Sequence, residues 1–110
     1  MRLSDTEITN QIAKIENLRV KQHDGLPLFI QSAEILINKK YDSYINIHSN
    51  NGKAMGFDLM VKHDVTLHKT DCPAGSGTLY FAKTPSGECS DYCESPLTAV
   101  FLGVIKANPK

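Results

Sequence analysis

The closing stretch, Ser95-Pro-Leu-Thr-Ala-Val-Phe-Leu-Gly-Val-Ile-Lys-Ala-Asn108, constrains the fold more than any other part of the chain. Leu97, Val100, Phe101, Val104 and Ile105 recur at i, i+3, i+4, i+7 and i+8, the spacing of one face of an α-helix. Ser95 stands where an N-cap belongs, and Pro96 falls at the first helical position, where its missing N–H costs nothing. Lys106 complements the helix dipole in the last turn, and Pro109 stops the helix. No other helical pattern in the sequence is as apolar, so the core is expected to form against this one.

A length of 110 residues suits a single globular domain over residues 1–110 with one core. Twelve Lys and Arg balance twelve Asp and Glu. A zero formal charge argues against nucleic acid as the partner and against an acidic mimic of it. No apolar run approaches the roughly 20 residues that span a bilayer. Arg2, Asp5, Glu7, Lys14 and Glu16 interrupt any apolar region of a signal peptide. The expectation is a cytoplasmic protein with no membrane partner. Three cysteines, an odd number, then read as thiols or metal ligands before disulfides.

Ser4-Asp-Thr-Glu7 is a capping box, and Ile8, Ile12, Ile15 and Leu18 follow at helical spacing. They predict a first helix from about Asp5 to about Arg19, with Gln11, Lys14, Asn17 and Lys21 on its wet face. His23-Asp-Gly-Leu-Pro27 is a break, and Leu28-Phe29-Ile30 is a short apolar run after it. Ser32 to Tyr41 suits helix or strand, with a lean to helix. Asp42 to His48 reads as a strand, ended by a turn at Asn50-Asn51-Gly52. Lys53 to His63 carries a helical face of Met55, Leu59 and Met60, weakened by Gly56. Asp64 to His68 and Thr78 to Ala82 read as strands, close enough across the Gly-rich loop Asp71 to Gly77 to pair as a hairpin. Thr84 to Glu94 is a polar connection into the last helix. The order predicts an α+β domain: a small antiparallel sheet flanked by N- and C-terminal helices, an α–β–α sandwich if the helices cover both faces.

Four segments in this order resemble the small phage and prophage proteins with the NinX-like "phage ABA sandwich" domain. They are the opening helix from Leu3 to Glu16, the segment Phe57-Asp-Leu-Met-Val-Lys-His-Asp-Val-Thr-Leu67, the strand Thr78 to Ala82, and Asp91-Tyr-Cys-Glu-Ser-Pro-Leu-Thr-Ala-Val-Phe-Leu102. Together they cover about two thirds of the chain. The chain departs from the family's pattern in having no tryptophan, with Phe57 and Tyr80 near the family's tryptophan positions, and in carrying Thr98 where the family has Arg. The resemblance implies a phage or prophage origin and an α–β–α sandwich. It assigns no catalytic residue.

Among constellations that carry chemistry, His68-x3-Cys72 with Cys89-x3-Cys93 offers imidazole and thiolates in two pairs, the donor set of a tetrahedral zinc site. The alternative is three unrelated thiols and a surface histidine, or a Cys72–Cys89 disulfide formed in air. Asp71-Cys-Pro-Ala-Gly-Ser-Gly-Thr78 can cradle an anion on its backbone N–H groups. It lacks the lysine and following helix of a P-loop and reads better as a hairpin loop. Nucleophilic catalysis would need one cysteine activated by one histidine, and the spacing of Cys72, Cys89 and Cys93 against His23, His48, His63 and His68 selects no pair. Lys62, His68, Lys69 and Lys83 form a modest basic cluster around the hairpin, suited to an anionic ligand or to guarding a sheet edge.

The sequence therefore points to a binding protein and not an enzyme, with no resident cofactor unless zinc occupies the paired ligands. The leading reading is a phage or prophage accessory protein that binds a host protein, as inhibitor or adaptor, or sequesters a small anionic nucleotide-like ligand. A homo-oligomer is left open. The alternatives are a zinc-supported regulatory or nucleic-acid-binding module and a cysteine-dependent hydrolase.

Overall fold

Ser4 starts the first helix as the sequence predicts. In the computed structural model, which describes residues 3–34, 40–71 and 77–108, the Ser4 hydroxyl accepts from the Glu7 N–H at 3.2 Å. The Glu7 carboxylate accepts from the Ser4 N–H at 3.0 Å. Two backbone donors at the start of α1 (Asp5–Glu16) are satisfied in this reciprocal way. The helix ends at Glu16 instead of near Arg19. Asn17 turns into the left-handed region (φ 56°), and its N–H closes on the Ala13 carbonyl.

The residues after that cap form strands. β1 (Arg19–His23) and β2 (Leu26–Glu34) are joined by Asp24 and Gly25, both at positive φ. This two-residue turn matches the twist of the strands it connects. β3 (Lys40–Ile45) completes an antiparallel sheet in the order β1-β2-β3. The helix expected over Ser32 to Tyr41 is absent from its described ends. Ser32 to Glu34 continue β2, and Ala33 and Glu34 pair with Tyr41 and Lys40 of β3. Ladder hydrogen bonds to a neighbouring strand override the helix preference of Ala33 and Glu34. Residues 35–39 lie outside the described residues.

Asn50-Asn51-Gly52, expected as a turn after the strand, is the first turn of α2 (Asn50–Lys62). Ser49 caps the helix, accepting from the Gly52 N–H at 3.0 Å while its own hydroxyl donates to the Asn46 carbonyl at 2.6 Å. Gly52 is required for space, not for its dihedral freedom. A Cβ there would collide with the carbonyl oxygens of Asn46 and Ile47.

β4 (Thr66–Asp71) and β5 (Thr78–Lys83) pair antiparallel, as the hairpin reading predicts, with residues 72–76 outside the described residues. The expected polar connection returns beside β5 as a third backbone track. Tyr80 and Cys93 exchange hydrogen bonds of 2.7 and 2.8 Å, and the Ser90 N–H donates to the Ala82 carbonyl at 2.8 Å. The chain closes in α3 (Pro96–Ala107), capped by Ser95 as predicted.

Helix α3 packs on β4, β5, α1 and α2. Phe101 and Val104 meet Ile8 and Ile12 of α1, Phe29 of β2, Leu59 of α2 and Ala82 of β5 in one apolar cluster. The core therefore forms against the closing helix, which is buried continuously from Ala99 to Val104 and not along one face alone. The fold is α+β. Among the described residues it has three helices and two antiparallel sheets, with helices flanking the strands at both ends. No helix among them is long and apolar enough to cross a membrane.

Candidate functional site

The second sheet has one face on α3 and one face away from the core. Register and alternation assign the sides. Tyr80 and Ala82 turn inward, whereas Leu79, Phe81 and Lys83 of β5 share the outer face with Thr66, His68 and Thr70 of β4. His68 lies opposite Phe81, and its ring stacks on the phenyl ring at 5.2 Å between centroids and 16° between planes. The Tyr80–Cys93 bridge sets Tyr92 on the other side of Phe81, where the two rings meet edge to face at 5.4 Å and 77°. Three rings from three neighbouring backbone tracks thus form a file across the outer face.

Each ring pair stabilises the sheet by about 0.5–1.5 kcal/mol beyond its buried area. The file is not sealed, however. Tyr92 is 56% exposed, and His68 and Phe81 are half-buried. The His68 Nε2 lies 2.8 Å from the Thr66 hydroxyl, which fixes the imidazole. Lys83 shares the face and has no ion-pair partner among the described residues, whereas Lys69, opposite Tyr80, belongs to the other face of β4. Lys62 leaves the expected basic cluster, because its ammonium lies 2.7 Å from Glu16. Part-exposed rings beside an unpaired ammonium group can stack on a flat conjugated molecule and neutralise its negative charge.

The proposed zinc ligands are placed as follows. His68 and Cys89 belong to the outer face, Cys89 opposite Lys83 and exposed. Cys93 is 1% exposed on the core face, and its thiol donates to the Asp91 carbonyl at 3.4 Å. Cys72 lies outside the described residues. Among the described residues no three His, Cys, Asp or Glu side chains gather into a group fit for one metal ion.

A second polar cluster ties the ends of the three helices together. Glu16 accepts from the Lys62 ammonium at 2.7 Å and from His63 Nε2 at 2.9 Å. Asn108 Nδ2 donates to the Val104 carbonyl at 2.9 Å and reaches His63 Nδ1 at 3.1 Å. With Asn108 donating to Nδ1, the imidazole carries its proton on Nε2, facing the carboxylate. Both ring nitrogens are engaged, so His63 serves as a strut. Burial by itself would raise the Glu16 pKa. The hydrogen bonds and charges of Lys62 and His63 outweigh it and hold the carboxyl below its ordinary value.

A carboxyl held below its unfolded value stabilises the fold above that value, 4.5, and the contribution is lost as pH falls through the lowered one. Glu16→Gln should therefore be less stable than the parent at about pH 6, and its melting temperature should fall less between about pH 6 and about pH 3. Parallel melting profiles for the two proteins would remove the charge of Glu16 from the account.

No protein-family model matches the chain, and comparison with curated proteins and with solved structures found no significant match. Sequence reasoning placed Tyr92 in a plain connection and did not join Glu16 to His63. Neither had a local signal. Tyr92 becomes a site residue only because residues 89–93 run back along β5, and Glu16 and His63 are 47 positions apart.

Proposed function

We propose that this protein acts by binding and not by catalysis, and that its ligand is a small anionic compound with a flat conjugated ring, as in a nucleotide. The observation that carries this reading is the part-exposed file His68–Phe81–Tyr92, with Lys83 on the same face. A ladder serving the sheet alone would gain by burying Tyr92, which instead lies open. A balanced overall charge disfavours a long polyanion but suits a ligand with one or two phosphates. A strip of three rings is also narrow for a protein partner, which needs about 800 Å² on each side.

The four-segment resemblance supports a phage or prophage origin. On this reading the protein is an accessory factor in the cytoplasm of a bacterial host, where it lowers the free concentration of its ligand. Calorimetric titration with adenine and guanine nucleotides tests the reading. Phe81→Ala should weaken binding at least about tenfold, since stacking on one aromatic ring contributes about 1–3 kcal/mol. Lys83→Ala should weaken the nucleotides more than their phosphate-free nucleosides. A folded Phe81→Ala variant that binds as tightly as the parent would move the site elsewhere.

A further inference from the structure

Helix α2 packs on α3 yet barely touches the three-stranded sheet. Between α2 and that sheet lies a cleft of about 340 Å³, within the range that holds small molecules. Phe29 and Ile45 of the sheet and Leu18 form one side. Met55 and Ala54 of α2 form the other, with Asn51 and Asp58 as the polar groups. Asn51, Ala54, Met55 and Asp58 follow the spacing i, i+3, i+4 and i+7, so a single helix face looks into the cleft.

The frame prevents this gap from closing. Gly52 seats the start of α2 against the Asn46 and Ile47 carbonyls, Gly56 lies against Leu97 of α3, and Lys62 and His63 tie the end of α2 to Glu16. The helix is held at both ends and along its α3 side. Its cleft side carries mostly short side chains. Asp58 has no ion-pair partner among the described residues. An unpaired carboxylate on the margin of an apolar cleft selects for a cation and against an anion.

We propose that this cleft is a binding site for a small apolar molecule carrying one cationic nitrogen, with the apolar body on Leu18, Ile45 and Met55 and the nitrogen at Asp58. Its charge preference is opposite to that of the ring file, so the two sites take different ligands.

Phenylbutylamine, phenylbutanol and phenylbutyrate share one body and differ in head-group charge, which makes them suitable probes in amide-resolved NMR titrations. The amine should move the amide signals of Phe29, Ile45, Asn51, Met55 and Asp58 saturably, and it should bind about tenfold or more tighter than the carboxylate. Asp58→Asn should bring the affinities of amine and alcohol together. Ala54→Phe, a change at an exposed helical position, should abolish binding of all three while signals remote from the cleft stay in place. If that variant fails to fold, the Asp58→Asn comparison decides alone. Phe81→Ala should leave amine binding unchanged, which separates this site from the ring file. The proposal is overturned if the amine gives no saturable shifts at the cleft, if the carboxylate binds as tightly as the amine, or if amine binding survives a folded Ala54→Phe variant.

Discussion

Phe101→Ala should lower the unfolding free energy by about 3–5 kcal/mol. Lys106→Ala, on the exposed side of the same helix, should lower it by less than about 0.5 kcal/mol. Phe101 is fully buried where α3 meets α1, α2, β4 and β5, and its ring reaches across to α2 near Gly56. A cavity at such a junction cannot be filled by moving one neighbour, because each neighbour is also packed on another. The loss is a large share of the roughly 5–15 kcal/mol that holds a typical domain folded. Urea midpoints with unchanged slopes check it. Equal midpoints for the two variants would mean that Phe101 does not sit at the centre of the core.

Gly103→Ala should destabilise the protein by about 1–3 kcal/mol, against the trend for helices. In an open helix the same change gains about 1 kcal/mol. Here a new Cβ would collide with the Ala82 Cβ and stand 2.8 Å from Val65 Cγ1. Neither neighbour can step aside, since Ala82 is fixed in β5 and Val65 is buried just before β4. Gly56→Ala is the matched control. Its first obstacle is the terminal Leu97 Cδ1, the end of a flexible side chain that can swing away. Thermal melts should therefore rank Gly103→Ala well below Gly56→Ala. A stabilised Gly103→Ala protein would show that α3 does not approach β5 this closely.

The helices at the two ends of the chain were legible because their signals are local. Ser4 with Glu7, and Ser95 with Pro96, announce helix starts within a few residues, and the apolar spacing that follows gives each buried face. The hairpin of β4 and β5 was legible from alternation and the Gly-rich loop between its strands. The first sheet was harder to read. β1 holds one apolar residue, Val20, among charged and polar ones. Its clearest marker is the Asp24-Gly25 pair, which reads equally as a break and as a hairpin turn. Asn50-Asn51-Gly52 misled for a different reason. Its residue types favour turns, but the Ser49 cap and the close approach of Asn46 and Ile47 recruit it into α2.

Of the candidate site, the sequence exposed His68 and Lys83, and alternation along the strand made Tyr80 and Phe81 face opposite ways; Lys69, also in the basic cluster read from the sequence, lies on the other face. The sequence did not show that Phe81 is the outward one or that Tyr92 lies beside it. That depends on the return of residues 89–93 along β5, a pairing made through the Tyr80–Cys93 and Lys83–Cys89 bridges. The cleft beside Asp58 was also hidden, because it arises from how α2 is anchored and not from any motif.

The outer face of β4 and β5 is proposed to bind an anionic ring compound without transforming it. Phosphorus NMR of the protein mixed with adenine or guanine nucleotides tests binding and turnover in one experiment. The account predicts saturable broadening or shift of the phosphate signals, at about one site per chain, for at least one of these nucleotides. It also predicts weakening of that response in Phe81→Ala and no new phosphorus signal over prolonged incubation. A new phosphate product formed in proportion to protein, or phosphate signals unmoved at any protein concentration, would contradict it.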